Sequence, residues 1–172
     1  MQTKLPKVGT TIFSTMSQLA NQYQAINLSQ GFPNFPIDPL IEELVAKNCR
    51  DNVHQYAPMA GLPSLLEGIA AMIHRVYQRE LNPAAEILVT AGATQGISAA
   101  LQALVHPGDE VVILDPAYDC YSPAVHLAGG KPVHIPMRED FTIDWRELRQ
   151  TVNQKTRLLM INNPHNPSGK MM

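Results

Sequence analysis

The stretch EVVILDPAYDCY, residues 110–121, carries the pattern on which the fold prediction rests. Its first part is an unbroken apolar run that ends at Asp115-Pro116. Continuous apolar runs of this length are typical of strands that are buried on both faces of a parallel sheet. Similar runs predict three more strands, at Ile87–Thr90, Lys131–Met137 and Arg157–Ile161.

Helical patterns separate these runs, and each is bounded by recognisable stop signals. The predicted helices are Thr94–Val105, Asp119–Leu127 and Asp144–Val152, the last with Asp144 as N-cap. Alternating strands and helices predict an α/β fold with a mostly parallel sheet and helices on both faces. Ligands of such sheets bind outside the carboxyl ends of the strands.

The N-terminal part of the chain has a different character. Helices are predicted at Thr11–Gln22, Leu40–Lys47 and Leu62–Glu80, the last with Pro63 in its first turn. Two prolines and a glycine exclude a regular element between residues 31 and 36.

Composition narrows the class of protein. The 172 residues are 45% hydrophobic and 16% charged, which favours a folded chain over a disordered one. The net charge of −2 gives no reason to expect a nucleic-acid partner. Two cysteines are too few for a disulfide framework, and the six histidines lack metal-ligand spacing and are expected mostly on the surface or in loops. Without an apolar run behind the first charges or a run of 18 apolar residues, we expect a soluble, cytoplasmic protein with no membrane span.

The junction Gly92-Ala93-Thr94 is a candidate anion site. Small residues let a ligand approach the backbone, and a helix N-terminus offers N–H groups and a partial positive charge. The alternative is a tight turn in which Thr94 acts as N-cap. The sequence contains neither GxGxxG nor GxxxxGK[ST], which disfavours a dinucleotide fold or a P-loop.

Three other segments carry candidate site residues, each with a structural alternative. Tyr118, after the second predicted strand, can stack on a planar ligand, or it can pack on the next helix as Tyr121 can. The Asn-Pro segment 162–170 can present an amide to a ligand oxygen, or it can be a simple turn. Tyr56 can face a ligand, or it can belong to the entry of the following helix.

Taken together, these segments resemble the class I/II aminotransferases, which are pyridoxal-phosphate enzymes of fold type I, and most of all the methionine, glutamine and kynurenine branch. The matching pieces are INLSQGFPNFP (26–36), HQYAPMAGLPSL (54–65), ILVTAGATQGI (87–97), DEVVILDPAYDCYSPAVHLAGG (109–130) and TRLLMINNPHNPSGK (156–170).

The resemblance implies a role for each candidate residue. Gly92, Ala93 and Thr94 are expected to hold the phosphate of pyridoxal 5′-phosphate, and Tyr118 to stack on its ring. Asn166, held by Pro167, is expected to hydrogen-bond the phenolic oxygen of the ring. Other implied roles concern the substrate and a second subunit: Gly31 beside the substrate carboxylate, and Tyr56 reaching the phosphate of the neighbouring subunit in a homodimer.

The resemblance also implies a domain layout and a missing half. Residues 1–36 are expected to form an N-terminal arm and part of a small domain, and residues 37–172 the first part of the large cofactor-binding domain. The family's Schiff-base lysine and substrate-binding arginine lie C-terminal to the Asn-Pro motif, so no catalytic residue is assigned, and Lys170 is not given that role. We therefore expect an N-terminal portion of a chain about twice as long, unable to transaminate alone. Two alternatives stay open, namely a carbon–sulfur β-lyase on the same scaffold and a non-catalytic short subunit that pairs with a full-length one.

Overall fold

The computed structural model describes residues 3–6, 8–31, 33–51 and 53–172. They divide into two compact units, one holding the residues up to Thr15 together with Ala91–Met172, the other Met16–Thr90. The expected domain boundary after residue 36 concerns a longer chain and stays a prediction. Phe32, within the quoted segment 26–36, lies outside the described residues.

A parallel sheet forms the centre of the first unit. Its strands are β1 (Glu110–Asp115), β2 (Lys131–Pro136) and β3 (Thr156–Met160), in the order β2-β1-β3. In the register, Val112 lies opposite Val133 of β2 and opposite Leu159 of β3. These strands confirm three of the four predicted runs.

The helices of this unit cover both faces of the sheet, as predicted. On one face, α5 (Ala93–Leu104) and α6 (Tyr121–Leu127) pack against β1. On the other, α7 (Trp145–Thr151) contributes Leu148 to a cluster with Val112 and Leu114. The centre of β1 is buried on both sides because consecutive side chains point to opposite faces. Each fully buried aliphatic side chain contributes about 1.5–3 kcal/mol, so this strand anchors the unit.

The N-cap prediction for α7 is confirmed. The Asp144 carboxylate accepts hydrogen bonds from the backbone N–H groups of Arg146 (2.9 Å) and Glu147 (3.1 Å). The Glu147 N–H is the main reason that the pKa of Asp144 lies below its usual value. Because this carboxylate fixes the start of α7, it also fixes where Leu148 enters the core.

The second unit is helical. It contains most of α1 (Ile12–Tyr23), together with α2 (Pro39–Arg50), α3 (Pro63–Tyr77) and the short α4 (Pro83–Glu86), which was not predicted. Helix α3 ends before the predicted Glu80 because Gln78 adopts a left-handed conformation (φ 52°) and caps the helix by donating to the His74 carbonyl oxygen.

The prediction of a strand at Ile87–Thr90 is wrong. The segment is extended at Ile87 (φ −125°, ψ 130°), yet Leu88 is 64% exposed. Its backbone bond to another segment runs from the Val89 N–H to the Ala60 oxygen, at 2.9 Å. A strand requires a ladder with a neighbouring strand, and none of the strands in the described residues pairs with this run.

Candidate functional site

The N-terminus of α5 has the properties of an anion site. Gly92 precedes the helix with φ 81° and ψ 164°, a conformation that glycine adopts readily. The N-cap residue Gly92 has no side chain that could accept a backbone N–H, and the first turn contains no acidic residue. Just before the helix, the Gln95 side chain accepts a hydrogen bond from the Ala91 N–H. A Cβ atom built on Gly92 would meet nothing within 4 Å, so the backbone is open to a ligand. The positive end of a helix dipole and the backbone N–H groups of a first helical turn fit a phosphate.

Thr94 does not act as the N-cap, so that part of the structural alternative for this segment is wrong. Gly92 occupies the N-cap position, and Thr94 lies inside the first turn of α5. Burial raises the pKa of the Cys120 thiol, and the Thr94 side chain lies close enough to that thiol to offset part of the rise. This contact joins the start of α5 to the segment 116–120 that follows β1.

Two tyrosines of the second candidate segment have different surroundings. Their rings meet edge to face, with centroids 5.9 Å apart and planes at 71°. Tyr121 packs against the core beneath α5 and α6, and its hydroxyl accepts a hydrogen bond from the Asn162 amide at 3.2 Å. Tyr118 is 37% exposed and leaves part of its ring accessible. The packing alternative therefore describes Tyr121, while Tyr118 remains able to stack on a ligand.

The Asn-Pro segment folds around a buried histidine. His165 is 4% exposed, and its Nδ1 lies 2.7 Å from the Ser168 hydroxyl oxygen. Its backbone N–H donates to the Lys170 oxygen at 2.8 Å, and its own oxygen accepts from Gly169. As predicted, most histidines are surface or loop residues: five of the six are exposed, and His165 lies in a loop but is buried because this turn closes over its ring. Asn166 follows directly and is exposed.

Three of the candidate segments thus lie at one edge of the same sheet. Thr94 of α5 lies close to Cys120 in the segment after β1, and a hydrogen bond links Tyr121 to Asn162 in the segment after β3. The carboxyl ends of β1 and β3 therefore meet the N-terminus of α5, as expected for a ligand site in a parallel sheet. Sequence analysis missed the contribution of Cys120, because only the folded chain places it against Thr94.

Gly31 and Tyr56 belong to the other compact unit. Both are exposed there, and a Cβ atom on Gly31 would meet nothing within 4 Å. Their predicted roles, beside a substrate carboxylate and at a second subunit, stay predictions.

The described residues contain neither a cluster of metal-ligating side chains nor a membrane-spanning helix. In the ranges 3–6, 8–31, 33–51 and 53–172, no group of three or more potential ligand side chains could hold a metal ion. Within the same ranges, no helix combines the length and apolar character required to cross a membrane.

Comparisons with known proteins agree with the geometry. The family model "Aminotransferase class I and II" matches residues 23–172. A methionine aminotransferase of Escherichia coli K12 is 46% identical over 168 residues, which are 97% of this chain and 44% of that protein. A probable N-succinyldiaminopimelate aminotransferase of Mycobacterium tuberculosis is 41% identical over 172 residues, which are 98% of this chain and 43% of that protein.

The fold is also that of solved relatives. A crystal structure from Escherichia coli, described as having a methionine aminotransferase function, superposes with a TM-score of 0.94 at 46% identity. The match covers 98% of this chain and 44% of that one. The chain thus spans less than half the length of the relatives it matches. Since the family model covers most of its residues, the chain belongs to the class I and II aminotransferases.

Proposed function

We propose that this chain provides the phosphate-binding and ring-stacking part of an enzyme that uses pyridoxal 5′-phosphate to transfer an amino group from an amino acid to a 2-oxo acid. The single observation that carries the proposal is the start of α5 at a glycine N-cap, in contact through Thr94 and Cys120 with the segment that carries Tyr118, at the carboxyl edge of a parallel sheet. Membership in the aminotransferase family supports the same reading.

The described residues fit this cofactor. The α5 N-terminus offers backbone N–H groups and the Thr94 hydroxyl to a dianionic phosphate, with open space above Gly92. The accessible ring of Tyr118 provides a stacking surface. The exposed amide of Asn166 can donate to a phenolate oxygen and stabilise its anionic form.

Each of these residues binds or orients, and none transfers a proton in our assignment. When bound, pyridoxal phosphate supplies an electron sink for the α carbon of an amino acid. The lysine that anchors the cofactor and moves the α proton, and the arginine that binds the substrate carboxylate, are proposed to come from sequence outside these 172 residues. By itself the chain should bind the cofactor weakly and should not transaminate.

Substrate and assembly remain part of the proposal. The resemblance favours methionine, glutamine, aromatic or kynurenine-like amino donors, with Gly31 beside the donor carboxylate. Relatives of similar identity bear the names of different donors, methionine and N-succinyldiaminopimelate, so identity alone does not select among them. A homodimer with shared sites would explain the complete exposure of the Tyr56 side chain, since a partner subunit can cover it.

A binding experiment tests the proposal without needing the missing residues. Pyridoxamine 5′-phosphate is a suitable fluorescent probe, because it carries no aldehyde that could react with surface lysines. Inorganic phosphate should compete with it, and pyridoxamine without phosphate should bind far more weakly. Thr94→Val should lower the affinity for the phosphorylated probe about tenfold, the factor expected when a hydrogen bond to a charged group is lost.

Thr151→Val provides a matched control in the same unit. Thr151 lies at the end of α7, and its hydroxyl donates to the Glu147 oxygen, so removing that hydroxyl should leave probe binding unchanged. Binding that is unaffected by Thr94→Val and insensitive to inorganic phosphate would refute the proposed site.

A further inference from the structure

A chain of hydrogen bonds connects three residues that neither the family match nor the proposed site assigns. The Asp115 carboxylate lies 2.8 Å from Nδ1 of His134, and Nε2 of the same ring lies 2.9 Å from the Ser122 hydroxyl oxygen. Asp115 is the last residue of β1, His134 lies on β2, and Ser122 lies in the first turn of α6. These two hydrogen bonds therefore connect β1, β2 and α6 at one edge of the sheet.

The direction of these hydrogen bonds follows from the carboxylate. An ionised carboxylate only accepts, so Nδ1 of His134 donates to Asp115. In the neutral ring Nε2 then accepts from the Ser122 hydroxyl, and in the protonated ring it donates to the same oxygen. Both bonds persist in either state of His134, so the connection does not depend on that ring's charge.

The proposed stacking residue lies in the segment between Asp115 and Ser122. Residues 116–120 leave β1 at Asp115 and enter α6 before Ser122, with Tyr118 at their centre. Inside the segment, the Tyr121 N–H donates to the Tyr118 oxygen at 3.2 Å. Fixing both ends through His134 restricts the conformations of the short loop between them.

We infer that Asp115, His134 and Ser122 are positioning residues that hold the loop 116–120 so that Tyr118 is pre-oriented to stack on a planar ligand. The inference rests on the proposed function for the identity of that ligand. Pre-orientation increases affinity because less conformational freedom is lost on binding.

The same order of side chains occurs in serine hydrolases, where the hydroxyl is a nucleophile. The side chains of His134 and Asp115 are 41% and 39% exposed here. Water at such a surface weakens the electrostatic stabilisation on which that chemistry depends. The observations therefore favour positioning, and covalent labelling of Ser122 distinguishes this role from a nucleophilic one.

Ser122→Ala removes the hydroxyl that hydrogen-bonds to His134, and Ser122→Thr retains a hydroxyl at this position. Ser122→Ala should lower the affinity for pyridoxamine 5′-phosphate about fivefold, the factor for one net hydrogen bond, while the affinity for inorganic phosphate stays unchanged. Ser122→Thr should restore the affinity for the probe. His126→Gln, an exposed histidine of the same helix, is the control and should have no effect.

A double-mutant cycle separates positioning from general stability. If Ser122 acts through Tyr118, Ser122→Ala should have no further effect on the probe in a Tyr118→Ala background. Equal losses of phosphate and probe affinity, or additive effects in the cycle, would overturn the inference. Stoichiometric labelling of Ser122 by a fluorophosphonate would also overturn it, in favour of a nucleophilic role.

A measurement without ligand makes the inference independent of the proposed function. In Ser122→Ala the backbone amides of residues 117–120 should exchange hydrogen about fivefold faster, by the same net hydrogen-bond energy, while amides in the middle of β1 keep their protection. Wild-type chain that binds neither probe nor phosphate would refute the proposed function only. Unchanged exchange in residues 117–120 would refute the positioning role itself.

Discussion

Gly130 lies where the end of α6 turns into β2, and replacing it by alanine should destabilise the first unit. A Cβ atom at this position would lie 2.6 Å from Cγ1 of Val105 and 3.2 Å from Cγ1 of Val125. It would also lie 3.3 Å from the backbone oxygen of Asp109, which accepts a hydrogen bond from the Lys131 N–H. Carbon atoms do not approach to 2.6 Å, so the surrounding core has to move.

The core can move only at a substantial energetic cost. Val105 and Val125 are buried, and both belong to the cluster between α5, α6 and β1. Valine side chains are β-branched and have few alternative rotamers in a close-packed interior. Overpacking of this kind costs about 1–3 kcal/mol, and we expect Gly130→Ala to lower the free energy of unfolding by about 2 kcal/mol.

Urea denaturation followed by far-UV circular dichroism measures this loss. With a denaturant slope of about 1–3 kcal/mol per molar urea, the midpoint should fall by roughly 1 M. Val105→Ala removes the methyl groups nearest to the new Cβ, so Gly130→Ala should cost clearly less in that background. Gly68→Ala in α3, where an added Cβ meets nothing within 4 Å, is the contrasting substitution and should be neutral or stabilising. A Gly130→Ala variant within about 0.5 kcal/mol of wild type, or one without coupling to Val105, would refute this reasoning.

Three further predictions follow from the site and its supporting helices. Gly92→Ala should destabilise the chain by about 1–3 kcal/mol through backbone strain at φ 81°, and it should weaken inorganic phosphate binding in a competition assay. Asp144 has a lowered folded-state pKa, so its contribution to stability is present above its unfolded pKa of about 3.9 and is lost as pH falls through the folded value. Asparagine also caps helices but does not titrate, so the melting temperature of Asp144→Asn should depend less steeply on pH below about pH 4 than that of the wild type. An equally steep dependence on pH in the two chains would contradict this assignment. Burial raises the pKa of the Cys120 thiol, so in a Cys49→Ser variant the pH midpoint of iodoacetamide labelling should lie above that of the same chain in urea.

Local sequence pattern predicted the sheet where burial on both faces made the pattern strong. The run 111–114 is apolar because neither face of β1 meets water, and that requirement is visible in the sequence itself. The run Ile87–Thr90 has the same appearance, yet it forms no ladder within the described residues. Hydrophobicity predicts where a strand can be buried. Pairing also requires a neighbouring strand, and the residues of the apolar run do not show whether one is present.

The candidate site shows the same division between local and distant information. Gly92 could be located from sequence because a helix start after a small residue has a local signature. The burial of His165 could not, since histidine occurs in cores and on surfaces and only the turn through Ser168 and Lys170 encloses it. The Thr94–Cys120 contact joins two elements, and no periodicity in either segment indicates it.

The first turn of α6 explains how separate segments come into register at one edge of the sheet. The N-cap and the next two residues each contact a different element. Cys120 lies close to Thr94 of α5, Tyr121 hydrogen-bonds to Asn162 after β3, and Ser122 hydrogen-bonds to His134 of β2. Successive residues of a helical turn point in different directions, so one turn can fix three neighbours at once. Tyr118 lies just before this turn, and its orientation is therefore coupled to the start of α5, the proposed phosphate site, and to the Asn-Pro segment together. A ligand that spans all three needs them held at fixed separations before it binds, and in this unit the start of α6 holds them.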